Sequence, residues 1–282
     1  MHSRIIKNVV KPLLASIYGS LRTRNSSRVS IPVLCYHSVQ HSDNYEGDAL
    51  TPIEFENHLK YFTENHTVIS LKNAVTSIKN GGINTPNPVV ITFDDGYEDN
   101  YSIVFPLLEK YKSHATIFVV TSFIDGKIEL INDPCFRALS WEQVREMDRS
   151  DVVDIGSHTD THTILSWLGQ QEIEKEIILS KKKLENKLGR PVDLFAYPNG
   201  QKSDIPAIAK ATVERVGFDC ACSTSWRSTH IAAEIFTLNR IMVSGNETLG
   251  TLKSKVTGKF DYIYYLQELK YLLSRISKKS SV

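Results

Sequence analysis

Between residues 31 and about 260, short apolar runs rich in β-branched residues alternate with longer segments whose apolar positions recur at helical spacing. No other feature of the chain limits its fold as strongly. Repeated strand–helix units imply parallel strands joined by helical crossovers. Strands are predicted at residues 31–36, 89–93, 115–120, 152–155, 194–197 and 218–222. The helices between them carry their own punctuation. Thr51-Pro52 is an N-cap followed by proline in the first turn, and Ile53, Phe55, Leu59 and Phe62 then mark an apolar face. A second helix runs from Leu71 to a stop at Gly81-Gly82, and a third over residues 100–112 contains Pro106. Ser140-Trp141-Glu142-Gln143 reads as a capping box opening a short helix. A long charged helix over 170–188 ends at Gly189, and one over 205–216 ends at Gly217. This pattern suits either an open doubly wound sheet or a closed barrel. The first strand is not followed by a glycine-rich phosphate loop, which weighs against a nucleotide-binding reading.

The chain's 282 residues suffice for one large domain or two small ones. A net charge of +1 gives no global case for nucleic-acid binding, so none is expected. The four cysteines, Cys35, Cys135, Cys220 and Cys222, form no CxxC pair and read as small buried apolar residues in a reducing compartment. No apolar stretch is long enough to span a bilayer. Residues 1–29 form a basic extension, with apolar residues from Ile5 to Tyr18 at helical spacing and Arg4, Lys7, Lys11, Arg22 and Arg24 around them. Lysines inside the run argue against a cleaved secretory signal. The segment is expected either to lie on an anionic membrane surface or to pack as an ordinary helix. Residues 246–282 form a second extension, an amphipathic helix over 261–276 and a basic tail.

Chemistry concentrates where strands end. Thr92-Phe93-Asp94-Asp95-Gly96 places two adjacent carboxylates after a buried strand. Two such groups repel unless a cation is near. Gly156-Ser157-His158-Thr159-Asp160-Thr161-His162 follows another strand. On one helical turn, histidines four apart face the same side, and two imidazoles with one carboxylate are a common zinc set. Leu194-Phe195-Ala196-Tyr197-Pro198-Asn199-Gly200 closes a third strand in a turn that can expose backbone N–H groups to an oxyanion. Val33-Leu34-Cys35-Tyr36-His37-Ser38-Val39 puts His37 at the end of the first strand, on the same rim. Each motif alone has an ordinary structural reading, as a turn, a polar loop or a satisfied histidine. Their joint placement at strand ends does not.

Together these stretches resemble the polysaccharide deacetylase family, the NodB-homology enzymes of carbohydrate esterase family 4. The resemblance runs from about Ser30 to about Ser244 and takes in Leu139-Ser140-Trp141-Glu142-Gln143. It implies a distorted (β/α)7-type barrel over 30–245 and a hydrolase that removes acetyl groups from glycans with a divalent metal: zinc first, with cobalt, nickel or manganese as alternatives. By matching motif it implies Asp94 as catalytic base and Asp95, His158 and His162 as metal ligands. The third motif lacks the usual arginine, and the late Leu-x-His motif is replaced by Thr237-Leu238-Asn239-Arg240-Ile241. The early Tyr-His and the FAYP strand resemble the branch containing poly-N-acetylglucosamine deacetylases, which implies His37 as general acid. Tyr197, Pro198 and Asn199 are expected to hold substrate or oxyanion, and Arg240 to orient the aspartate pair or the substrate. The implied partner is an N-acetylated or lipid-linked glycan, and the basic N-terminal segment without a clear secretory signal favours one met in the cytoplasm or at the inner membrane face. The alternatives are a glycan-binding module on a degenerate barrel and a deformylase of a lipid-linked amino sugar.

Overall fold

The computed structural model describes residues 15, 17–18, 28–41, 49–245 and 247–279. The predicted N-terminal helix thus lies almost wholly outside the described residues. The centre is a curled parallel sheet of β1 (Val33–Tyr36), β2 (Pro88–Phe93), β3 (Ala115–Val119), β4 (Val153–Ser157), β5 (Leu194–Ala196), β6 (Cys220–Cys222) and β7 (Ile241–Met242). Their order is β7-β1-β2-β3-β4-β5-β6, every neighbour parallel. Residues 238–242 draw the two edges together. Leu238 bridges Cys222 of β6, and Ile241 and Met242 then pair with Leu34 and Cys35 of β1. The result is the distorted (β/α) barrel that the strand–helix alternation allows.

Successive strand residues point to opposite faces, and the core divides accordingly. Leu34, Tyr36, Ile91, Phe93, Ile117, Ile155 and Phe195 meet the outer helices. Val33, Val90, Phe118, Leu194, Cys220 and Cys222 form a second cluster with Leu71, Ala74, Val75 and Ile78 of helix Leu71–Lys79. The helix starts behave as the sequence implies. Thr51 and Glu54 make a reciprocal capping box at helix Pro52–Asn65, and Ser140 and Gln143 make another at helix Trp141–Asp148. Gly189 ends helix Gln170–Leu188 with φ +70. Three expectations shift. Pro32 has no N–H to donate to a ladder, and β1 starts only at Val33. The predicted 100–112 helix begins as a π-helical turn over Asn100–Val104, and the regular helix is Phe105–Tyr111, with Pro106 in its first turn. All four cysteines are free, and Cys135, against expectation, is exposed.

After the barrel come helices Leu249–Val256 and Tyr262–Lys279. They are fastened to it. Asp261 accepts hydrogen bonds from Ser228 N and Oγ (2.9 and 2.8 Å), and Phe260 is buried against Trp226. The apolar stripe of the last helix faces outward: Leu266, Leu269, Leu272, Leu273 and Ile276 are 54–65% exposed. Among the described residues no helix is long and apolar enough to cross a membrane.

Buried ionisable groups make the fold acid-sensitive. Burial lowers His58 and His230 to about 4, against about 6.5 in an unfolded chain. The unfolded state therefore takes up their protons first as pH falls, and their stabilisation is lost from about pH 6.5 down to 4. Asp99 opposes this, since burial raises it to about 6 despite its bond from Ser38, so the folded state is the one protonated between about pH 4 and 6. These three groups together imply a loss of roughly 1.4 kcal/mol per pH unit over that window, and His158, which burial also lowers to about 4, adds a further loss in the same direction. Urea midpoints at a series of pH values would show it. A flat profile would mean that these histidines are protonated in the folded protein.

Candidate active site

β2 is buried throughout, and it ends on the two acids. Asp94 N donates to Tyr36 O (2.9 Å), keeping the chain in register with β1 for one more residue. Asp95 and Gly96 then take φ +76 and +81. A Cβ on Gly96 would lie 2.9 Å from Val119 Cγ1, so the turn admits only glycine there. Asp95 tolerates the left-handed region better than a bulky residue would.

The two histidines converge on that carboxylate, though not on a helical turn. Residues 158–162 are irregular, and Thr159 and His162 have φ +69 and +60. Tertiary contacts replace the expected helix. His158 N donates to Val119 O, and Glu176 of helix Gln170–Leu188 accepts from Asp160 N, Thr161 N and Thr161 Oγ1 at 2.8–3.0 Å. Lys183 of the same helix reaches Asp160 at 2.6 Å, and Thr121 Oγ1 donates to it at 2.5 Å.

This loop leaves three donor atoms facing one point. His158 Nδ1 lies 2.8 Å from the Ala196 carbonyl, which can only accept, so Nδ1 carries the proton and Nε2 is a free lone pair. Burial also lowers His158 to about 4, keeping the ring neutral. Asp95 Oδ1 is 3.6 Å from His158 Nε2 and 3.3 Å from His162 Nε2. Tetrahedral zinc with bonds of about 2.0–2.1 Å has edges of roughly 3.4 Å, so the spacing fits. Asp95 Oδ1 is moreover buried without a hydrogen-bond partner. A buried acceptor left unpaired is costly, and a cation would satisfy it. Asp95, His158 and His162 can therefore hold a divalent ion.

Asp94 lives in a different field. Its oxygens accept from both ends of the Arg240 guanidinium, at 2.6 and 2.7 Å. Arg240 is fully buried, fixed by Ser223 O and Thr92 Oγ1, with its guanidinium 5.5 Å from the Phe118 ring centre. Gly156 makes that packing possible, because a Cβ there would lie 2.5 Å from Phe118. Burial would raise the Asp94 carboxyl, but Arg240, with His158 and His37 nearby, holds it well below the usual carboxylate range. Burial keeps the neighbouring Cys35 thiol protonated, and it donates to Asp94 Oδ2 (3.4 Å). Ligand-type atoms of Cys35, His37 and Asp94 lie within 4.8 Å of one another, so His37 reaches the same side as the base.

His37, Asp94, Asp95, His158, His162 and Asn199 line one cavity of about 210 Å³, completed by Thr224 and Met242. Arg240 stands behind its wall and touches Asp94 only from the protein side. Tyr197 does not belong to the site as expected. It is 1% exposed, meets the Phe195 ring edge-on and donates its hydroxyl hydrogen bond to Phe236 O (3.0 Å). Pro198 is buried and also stays off the cavity wall. Asn199, at φ +57, carries the turn to the rim, and among the described residues no acceptor takes its N–H. Thr224 and Met242 carry no sequence signal, since only the sheet pairing brings the loop after β6 and the end of β7 to this cavity.

The polysaccharide deacetylase profile matches residues 81–220, a span that contains both acids, both histidines and the FAYPNG strand. The chain belongs to the polysaccharide deacetylase family. It is thus a deacetylase, a hydrolase acting on glycans. The Bacillus subtilis (strain 168) protein YxkH, itself assigned to the polysaccharide deacetylases by name, is 29% identical over 215 residues, covering 76% of this chain and 71% of its own. The poly-beta-1,6-N-acetyl-D-glucosamine N-deacetylase of Staphylococcus aureus (strain MSSA476) is 25% identical over 200 residues, 67% of each chain. In fold, the deacetylase resembles the Streptococcus pyogenes deacetylase PplD solved with acetate (TM-score 0.71, 23% identity, 81% of this chain and 99% of that one).

Proposed function

We propose that this deacetylase is a metal-dependent amidase that removes N-acetyl groups from an N-acetylated glycan, releasing acetate and an amino sugar. One observation carries the reading. An orphaned buried Asp95 oxygen faces two imidazole nitrogens beside a second acid whose charge is fixed by Arg240. The relative named for poly-beta-1,6-N-acetyl-D-glucosamine supports an N-acetylated substrate.

The residues divide the work. Asp95, His158 and His162 would hold a divalent ion, which when bound would supply a Lewis acid for the acetamide carbonyl and ease deprotonation of water. Asp94 accepts the proton of the attacking water. Its Oδ1 keeps a lone pair beyond the Arg240 contact, whereas Oδ2 already accepts from both Arg240 and Cys35. Because Arg240 disfavours the neutral acid, Asp94 gives that proton up to solvent after the attack, and His37, which loses one to the leaving nitrogen, is reprotonated from solvent, so the cycle returns both groups to their starting states. His37 delivers a proton to the leaving nitrogen, which cannot depart as an amine anion. The Asn199 N–H, taken by no acceptor among the described residues, serves as an oxyanion donor in this reading. His37 thereby fills the role of the missing late histidine, which favours an enzyme over a glycan-binding module. The test is release of acetate, assayed beside formate, from β-1,6-linked N-acetylglucosamine oligomers with zinc, cobalt, nickel or manganese. Formate from a formylated sugar without acetate would assign the deformylase instead. Ion binding with neither product would leave the binding module.

The outward stripe of helix Tyr262–Lys279 favours a second property, peripheral contact with a membrane surface. The protein should sediment with phosphatidylglycerol vesicles more than with phosphatidylcholine vesicles. A Leu269→Ser, Leu273→Ser double variant should weaken that by at least about tenfold, as two leucines withdrawn from lipid imply. Equal sedimentation of the variant would sink the idea.

A further inference from the structure

The catalytic cavity is small. Its volume of about 210 Å³ lies under the roughly 300–1,000 Å³ usual for small-molecule sites. A glycan longer than the reacting sugar must therefore leave it, and the structure offers a continuation. A groove of about 590 Å³ shares Asn199, Thr224 and Met242 with the cavity and runs from there to helix Tyr262–Lys279. Its near wall is the loops after β5 and β6, and its far wall is that helix.

The far wall is fixed, not incidental. Gln267 accepts from Trp226 N (2.8 Å) and donates to Thr224 O (3.2 Å), so the helix is clasped to a loop that also lines the catalytic cavity. Lys202 crosses from the loop after β5 to Glu268 (2.6 Å) and lies 5.0 Å from the Tyr271 ring centre. The lining chemistry is mixed. Trp226 and Tyr271 offer aromatic faces, and Gln267 and Ser274 offer neutral hydrogen-bonding groups. Lys202 and Glu268 offset each other, which leaves Lys270 as the unbalanced charge among the lining side chains. Uncharged sugars suit this combination, through C–H faces on the aromatic rings and hydroxyls on the amide and alcohol groups. Freed amino sugars are cationic, and Lys270 opposes them.

We propose that this groove is a subsite for an N-acetylated oligosaccharide and holds the still acetylated units next to the one presented to Asp94 and Asp95. The proposal rests on the deacetylase reading above and adds a direction: the chain lies along the C-terminal helix, and its unmodified part fills the groove. The C-terminal helix is thereby a specificity element of the enzyme.

The test compares N-acetylglucosamine with its β-1,6-linked pentamer on the zinc-loaded full chain. The pentamer should show a KM lower by at least about tenfold, a gap equal to one ordinary contact's worth of affinity. A pentamer freed of its acetyl groups should compete poorly. Tyr271→Ala should raise the pentamer KM while moving its kcat far less. Ser274→Trp, which fills the groove from an exposed position, should do the same at an unchanged melting temperature. Equal KM values for the two sugars, or equal losses on both in each variant, would overturn the groove and leave the deacetylase reading standing. Release of acetate from neither sugar would overturn the deacetylase reading. The groove would then be judged by saturation-transfer NMR of the pentamer: signals lost in Tyr271→Ala support it, and signals unchanged in that variant overturn it.

Discussion

Asp95→Ala and His158→Ala are each expected to lose the bound ion and acetate release together, whereas Asp94→Asn keeps the ion and loses about 10²–10⁴-fold in kcat. The division follows from the surroundings of two adjacent carboxylates. Asp95 Oδ1 is unpartnered, buried and within 3.3–3.6 Å of two imidazole nitrogens. Removing it, or the His158 Nε2 oriented by the Ala196 carbonyl, opens the donor triangle. Asp94 is instead saturated on the protein side by Arg240. Its amide keeps the shape, but it is no longer a base. Dialysed protein analysed for zinc content and for acetate release separates the two outcomes. Equal ion loss in Asp94→Asn and Asp95→Ala would show that the acids are not divided in role.

Arg240→Met is the second large effect. Arg240 is fully buried, and its cation is what allows Asp94 to stay ionised at 3% exposure. Removing one member of a buried pair costs roughly 3–5 kcal/mol, and the urea midpoint should fall accordingly. The pH profile gives an independent readout. Without Arg240, burial raises the Asp94 carboxyl, so the base is protonated at higher pH. The acid limb of the rate profile should therefore move toward neutrality in whatever protein remains folded. A double variant, Asp94→Leu with Arg240→Met, removes both charges and should recover much of the stability while remaining inactive. A double variant as unstable as the sum of the singles would mean that the pair is not coupled.

The barrel was legible because it is written locally. β-branched runs, the Thr51 and Ser140 caps and the Gly189 stop each act within a few residues of sequence. The acids and histidines were legible for a related reason: they follow buried strands directly, and their types name their chemistry. What failed needed distant partners. The His158–His162 spacing suggested a helical turn, but Glu176 and Lys183, from a helix farther along, hold the loop in left-handed conformations instead. Tyr197 looked like a site residue beside a turn, yet its alternation along β5 sends the ring into the core toward Phe195 and the Phe236 carbonyl. The apolar period of the last helix marked a stripe without saying that it would face out while Gln267 and Tyr271 line a groove. Residues 238–242 carried no strand signal, and their pairing with β1 places Arg240 behind Asp94 and Met242 beside it.

The role of the ion is most directly tested on wild-type protein stripped of metal. Acetate release from a β-1,6-linked N-acetylglucosamine oligomer would be followed before and after one equivalent of zinc is returned. The expected result is no release from stripped protein and recovery complete at one equivalent per chain. Full release from stripped protein, with no response to added zinc, cobalt, nickel or manganese, would contradict the assignment of Asp95, His158 and His162 as ligands of a catalytic ion.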